Sequence, residues 1–170
     1  MKCLKKDCLR GWFQIVTLLQ INKAINDTLK ANLKGTEFEN IEFISQDLSE
    51  GYTRPCIKVQ IESANSGKYN ANMKERTLTT RVYFFAKNKE KPKMENIKMQ
   101  EIIENAFLDN MKVVDDFYIP IDEVESDISD GVLISSFDLE TLEIIPDEIL
   151  DGQEYEPMEE LEIKINNEEV

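Results

Sequence analysis

The sequence predicts an α/β (α+β) fold, with a small mixed or antiparallel sheet of about four to five strands, two helices packed on it, and an extended acidic C-terminal arm. Three observations carry that prediction. Apolar residues recur at three- and four-residue intervals over 17–33 and 94–108, as on one face of a helix. They alternate with period two over 56–63, 76–86 and 132–144, as in strands. Beyond Pro146 acidic residues displace large apolar ones, which marks the end of the core. The chain of 170 residues thus reads as an N-terminal extension (1–15), one α/β domain (16–146) and an acidic arm (147–170).

Residues 1–14 carry Lys2, Lys5, Lys6 and Arg10 ahead of Trp12 and Phe13, but the apolar patch is interrupted and no small-residue cleavage site follows. A signal peptide is therefore rejected. Two readings stay open: a disordered extension, or upstream sequence ahead of a native start near Val16. Thr17 and Gln20 have capping-box spacing and Val16 with Ile21 the spacing of a hydrophobic staple, so the first helix starts here. Leu18, Ile21, Ile25, Leu29 and Leu33 form its apolar stripe, and Gly35 stops it. Packing on the sheet is the plain reading of that stripe; a partner-binding helix is the functional one.

Residues 41–45 form a short strand candidate, followed by a polar loop over 46–54. Pro55 has no amide donor, so it can open a strand but not sit inside a ladder, and it places the strand start at Cys56. Ile57, Val59 and Ile61 then take one face and Lys58, Gln60 and Glu62 the other. Residues 64–74, rich in Asn, Ser and Gly, are expected to be a loop. The central strand is expected over 76–86, where Leu78, Thr80, Val82 and Phe84 share one face and Thr77, Thr79, Arg81, Tyr83 and Phe85 the other. Aromatics on both faces predict a cover or a partner on each side.

The basic stretch 87–93 (KNKEKPK) reads as a solvated turn or, functionally, as a contact with an acidic neighbouring subunit. A second helix is expected over 94–108, with Met99, Ile102, Ile103, Ala106 and Phe107 on its apolar side and Met94 and Met99 as core filler. Strand-like pieces at 113–119 and 121–128 flank Pro120, and a longer strand over 132–144 is entered through an Asp130-Gly131 turn. Asp122, Glu123, Glu125, Asp127 and Asp130 invite a calcium reading, yet their spacing fails the EF-hand pattern. A solvated or partner-facing acidic edge fits them better. Within the arm, Leu161, Ile163 and Ile165 alternate with Glu162 and Lys164, as a strand would. Pairing with a neighbouring sheet edge and folding back on the same domain both stay open.

Composition narrows the chemistry. Asp and Glu number 34 against 20 Lys and Arg, a formal charge of -14, so sequence-independent binding to a phosphate backbone is disfavoured. Histidine is absent, which removes the commonest general base and nitrogen metal ligand. Cys3, Cys8 and Cys56 form no even disulfide framework and cannot complete a zinc site without histidine, which suits a reducing compartment. No nucleophile has a base at motif spacing, and no apolar run nears the roughly 20 residues of a membrane span. The expectation is a protein without enzymatic activity or cofactor, made in the cytoplasm.

The order of helix, short strand, QDLSEGYTRPCIKVQIES, the aromatic strand TLTTRVYFFA, a second helix, the strand SDGVLISSFDLE and a terminal MEELEIKI resembles the tail terminator proteins of phages and phage-like particles from Gram-positive bacteria. The likeness runs over about residues 16–165, and none of its short strings is a catalytic signature. It implies a structural virion protein at the tail–neck junction, assembled in the bacterial cytoplasm. Such a protein forms a ring, usually of six copies, that caps the tail tube, ends its polymerisation and offers a docking face to the neck. The implied partners are other copies of this chain, the tail tube protein with the tail sheath as a further candidate, and the neck or head–tail connector. DNA would pass through a bore lined by carboxylates without being held. Candidate contact elements are the 46–54 and 64–74 loops and the arm. The residues singled out are Tyr52, Arg54, Arg76, Arg81, Lys87, Lys89 and Lys91, with Leu161, Ile163 and Ile165 in the arm. A head–tail joining protein is the nearest alternative, and an acidic DNA-mimicking adaptor a more distant one.

Overall fold

The computed structural model describes residues 16–45 and 51–145. These residues form two helices, α1 (Leu18–Leu33) and α2 (Lys93–Ala106), and seven strands: β1 (Glu42–Phe43), β2 (Cys56–Asn70), β3 (Met73–Phe85), β4 (Met111–Val114), β5 (Phe117–Ile119), β6 (Glu125–Ser129) and β7 (Val132–Ile144). The main sheet is mixed, in the order β1-β2-β3-β7-β6, with β1 parallel to β2 and every other pair antiparallel. β4 and β5 make a separate two-stranded sheet.

α1 begins where its cap residues place it. The Thr17 hydroxyl accepts from Gln20 N–H at 3.2 Å, and Gln20 Oε1 accepts from Thr17 N–H at 2.8 Å, closing the capping box. Val16 and Ile21, the staple pair, are both fully buried. Ile21, Ala24, Ile25, Leu29 and Leu33 form the buried stripe, while Leu18, expected on it, is 43% exposed at the open groove beside Val59 and Ile61 of β2. Together with Met99 and Ile103 of α2, that stripe packs on Ile57, Leu78, Val82, Phe84, Leu133 and Leu139. Both helices therefore cover one face of the sheet.

β3 is the central strand, as its pattern predicts. Four other expectations change. The stretch 64–74 is not a loop: β2 and β3 pair through it, with Lys68 opposite Lys74 and Asn70 opposite Met73, because β7 holds Met73–Arg76 from the other side. The stretch 113–119 is not one strand but a hairpin, since Asp116 turns the chain at a φ of 60°. Residues 121–124 carry no strand, and β6 starts only at Glu125. Met94 is 64% exposed instead of filling the core, whereas Met99 is buried as expected. The Asp130-Gly131 turn enters β7 with φ of 50° and 78°, the paired positive values a tight hairpin needs.

Candidate assembly surfaces

Register decides what the second face of the sheet presents. Partners across neighbouring strands share a face. The face away from the helices therefore carries Lys58, Gln60, Ser63 and Asn65 of β2, Thr77, Thr79, Arg81 and Tyr83 of β3, Ile134, Ser136, Asp138 and Glu140 of β7, and Glu125 and Asp127 of β6. No described helix covers it. The expected cover on both sides of β3 is thus present among the described residues on the helix side and, on this side, only over Phe85.

That partial cover is built from the GYTRPC segment. The Tyr52 ring lies against Phe85 at 4.6 Å between centroids, and the Arg54 guanidinium sits 5.5 Å from both rings. Arg54 also donates to the Ala86 carbonyl at 3.1 Å and to the Tyr52 hydroxyl at 3.2 Å. Underneath, the Cys56 thiol is fully buried, and desolvation pushes its pKa up against the opposing effect of Arg54. Tyr52 and Arg54 thereby fasten the loop to one end of the sheet.

Next along the same face, Glu62 is gripped twice. Its carboxylate accepts from the Tyr83 hydroxyl at 2.6 Å and pairs with Arg81 at 2.8 Å. The bond to Glu62, aided by partial burial, raises the Tyr83 pKa. Beyond Arg81 the surface turns acidic. An open groove of about 480 Å³ brings Asp122, Glu123, Glu125, Asp138 and Glu140 around that single guanidinium. No cluster among the described residues has the arrangement to hold a metal ion, so the calcium reading of the acidic set gains no support from geometry.

The remaining candidates are scattered. Lys87, Lys89 and Lys91 are exposed on the loop that leads into α2, at the end of the sheet where β2 and β7 begin. Arg76, expected at an interface, is turned inward: it is 8% exposed, donates to the Val16 carbonyl at 2.9 Å and lies 3.5 Å from Glu143, itself 4% exposed. Its place on the face of Leu78 and Val82 is visible in the alternation, but its buried partner is not. Leu161, Ile163 and Ile165 lie outside the described residues, as does most of the 46–54 loop. Every residue from Glu62 to Asn72 is exposed, so the β2–β3 hairpin ends as a polar projection.

The described fold is thus a mixed sheet covered by helices on one face and presenting polar and charged surfaces on the other. The family model described as phage tail terminator protein matches residues 20–151. The chain belongs to the phage tail terminator family. That match runs from the first turn of α1 through all seven strands and α2, so it does not rest on one motif. A search of curated proteins finds no match. Membership gives the protein a structural role in the phage tail, as a virion component that interacts with other tail components. No helix among the described residues is long and apolar enough to cross a membrane.

Proposed function

We propose that this tail terminator family protein closes into a ring of six copies, caps the last ring of the tail tube, stops further addition, and presents its opposite face to the neck. The observation that carries this reading is the family match across residues 20–151. The mechanism is steric: one face fits the tube subunit and the other offers no surface on which another tube ring can add. No catalytic step is involved, and DNA passes through the bore repelled by carboxylates, in keeping with a net charge of -14.

A closed head-to-tail ring needs two different, complementary patches on each copy. The acidic groove around Arg81 and the exposed Lys87, Lys89 and Lys91 supply opposite charge on separate parts of the fold. In this reading the lysine loop of one copy meets the acidic groove of the next. Each exposed pair contributes only about 0–1 kcal/mol, so the contact depends on several acting together.

The test is the tail-length distribution, by electron microscopy, in particles made with and without this protein. Overlong tubes in its absence are expected. Normal tails that fail to join heads would move the assignment to a joining protein, and unaltered particles would overturn both.

A further inference from the structure

Among the described residues, the outer edge of β2 is mostly unpaired. β1 pairs only Glu42 and Phe43, opposite Cys56 and Ile57, and its last bond runs from Ile44 N–H to the Ile57 carbonyl at 2.9 Å. β2 continues to Asn70, and from Val59 onward no described strand pairs with that edge. Where β1 stops, a groove of about 440 Å³ opens between the edge and the start of α1. Leu18 and Leu19, 43% and 78% exposed, overlook it, and Val59 and Ile61 form its half-buried floor. An edge with no described strand beside it, next to four apolar side chains, is a seat for one more strand with alternate apolar residues.

We propose that residues 161–165 of the same chain take that seat, as a strand antiparallel to β2. Leu161, Ile163 and Ile165 alternate with Glu162 and Lys164, which is the period the edge requires. The chain leaves the described fold at Ile145, whose N–H bonds the Asn72 carbonyl at 2.8 Å at the hairpin end of the sheet. Residues 146–160 separate that exit from the segment and span up to about 50 Å when extended. The path needs about 33 Å along β2 from Asn70 to Gln60 and about 14 Å across three strand spacings, from β7 past β3 and β2. An arm arriving from the hairpin end runs opposite to β2.

In this pairing the three apolar side chains lie under Leu18 and Leu19 beside Val59 and Ile61, and Glu162 and Lys164 fall on the other face with Gln60. The segment lies beyond the family-matched span, and the pairing is tested on the free chain. It guards a long edge that would otherwise template pairing between free copies.

The test uses the full chain with Cys3→Ser and Cys8→Ser, and Gln60→Cys combined in turn with Leu161→Cys, Glu162→Cys, Ile163→Cys or Lys164→Cys. Mild oxidation followed by a non-reducing gel and intact mass is expected to give monomeric cross-links with 162 or 164, at least tenfold faster than with 161 or 163. Equal rates at all four positions, cross-links between chains, or none would overturn the proposal. In a second measurement on the full chain, Ile163→Asp is expected to speed amide exchange at 59–62 at least tenfold while the β3 centre stays protected. Unchanged exchange would show that residues 161–165 do not close the edge and would overturn the assignment.

Discussion

Replacing Arg76 with methionine removes the positive half of a pair that the fold has taken out of water. Arg76 and Glu143 are 8% and 4% exposed, the guanidinium lies 3.5 Å from Glu143 Oε1, and it also donates to the Val16 carbonyl at the entry to α1. Removing one partner of a buried pair leaves the other charge without compensation, at a cost of about 3–5 kcal/mol. The lower end applies here, because the pair is long and Glu143 Oε2 has no partner even with Arg76 in place. A loss of about 3 kcal/mol lowers the urea midpoint by about 1.5 M, taking a slope of about 2 kcal/mol per M. The double variant Arg76→Met/Glu143→Leu, with both charges gone, should recover to within about 1 kcal/mol of the parent. Urea unfolding followed by circular dichroism measures both. A cost below about 1 kcal/mol for Arg76→Met, or a double variant no better than the single one, would refute the account of a compensated buried pair.

Gly131 has a φ of 78°, and a Cβ there would sit 3.1 Å from Pro92 Cγ, so Gly131→Ala should cost about 1 kcal/mol or more in thermal unfolding. Gly67→Ala, with no positive φ and only Glu75 Oε1 at 3.7 Å, should cost less than half as much. In a chain whose only thiol is Cys56, an aromatic disulfide reagent should react slowly with the native protein, and Arg54→Ala should speed it at least tenfold by loosening the Tyr52–Phe85 clasp. Tyr83 has its pKa raised above 10.0 by the bond to Glu62 and by burial, so the folded state holds this proton more tightly. The stability it adds is present below pH 10 and is lost as pH rises through the folded value; Glu62→Gln should lower the Tyr83 midpoint in ultraviolet difference titration against Tyr83→Phe. Reversing Lys87, Lys89 and Lys91 together to glutamate should leave the unfolding midpoint within about 0.5 kcal/mol while abolishing ring formation; any one reversal alone should be tolerated.

What could be read from the chain alone was whatever its own residues specify locally. The capping box of Thr17 and Gln20 starts α1, the Asp130-Gly131 turn opens β7, and strict alternation carries β7 to Ile144. The hairpin end could not be read that way. Residues 64–74 have the composition of a loop because both faces of the projection meet water, so nothing selects apolar side chains there. Their strand conformation is imposed from outside: Thr141–Ile144 of β7 hold Met73–Arg76 as strand, and β2 follows across the ladder. The charged surfaces are hidden for the same reason. Arg81 shares one groove with Glu125, Asp138 and Glu140 only because β6 folds back along β7 and β7 lies against β3. Each residue alone reads as an ordinary solvent-facing position, and only the register converts them into a patch of one sign around one cation. If the proposed ring closes on such a patch, its contact leaves no motif, because the charges are brought together by strands about 4.8 Å apart and not by the order of residues along any one of them.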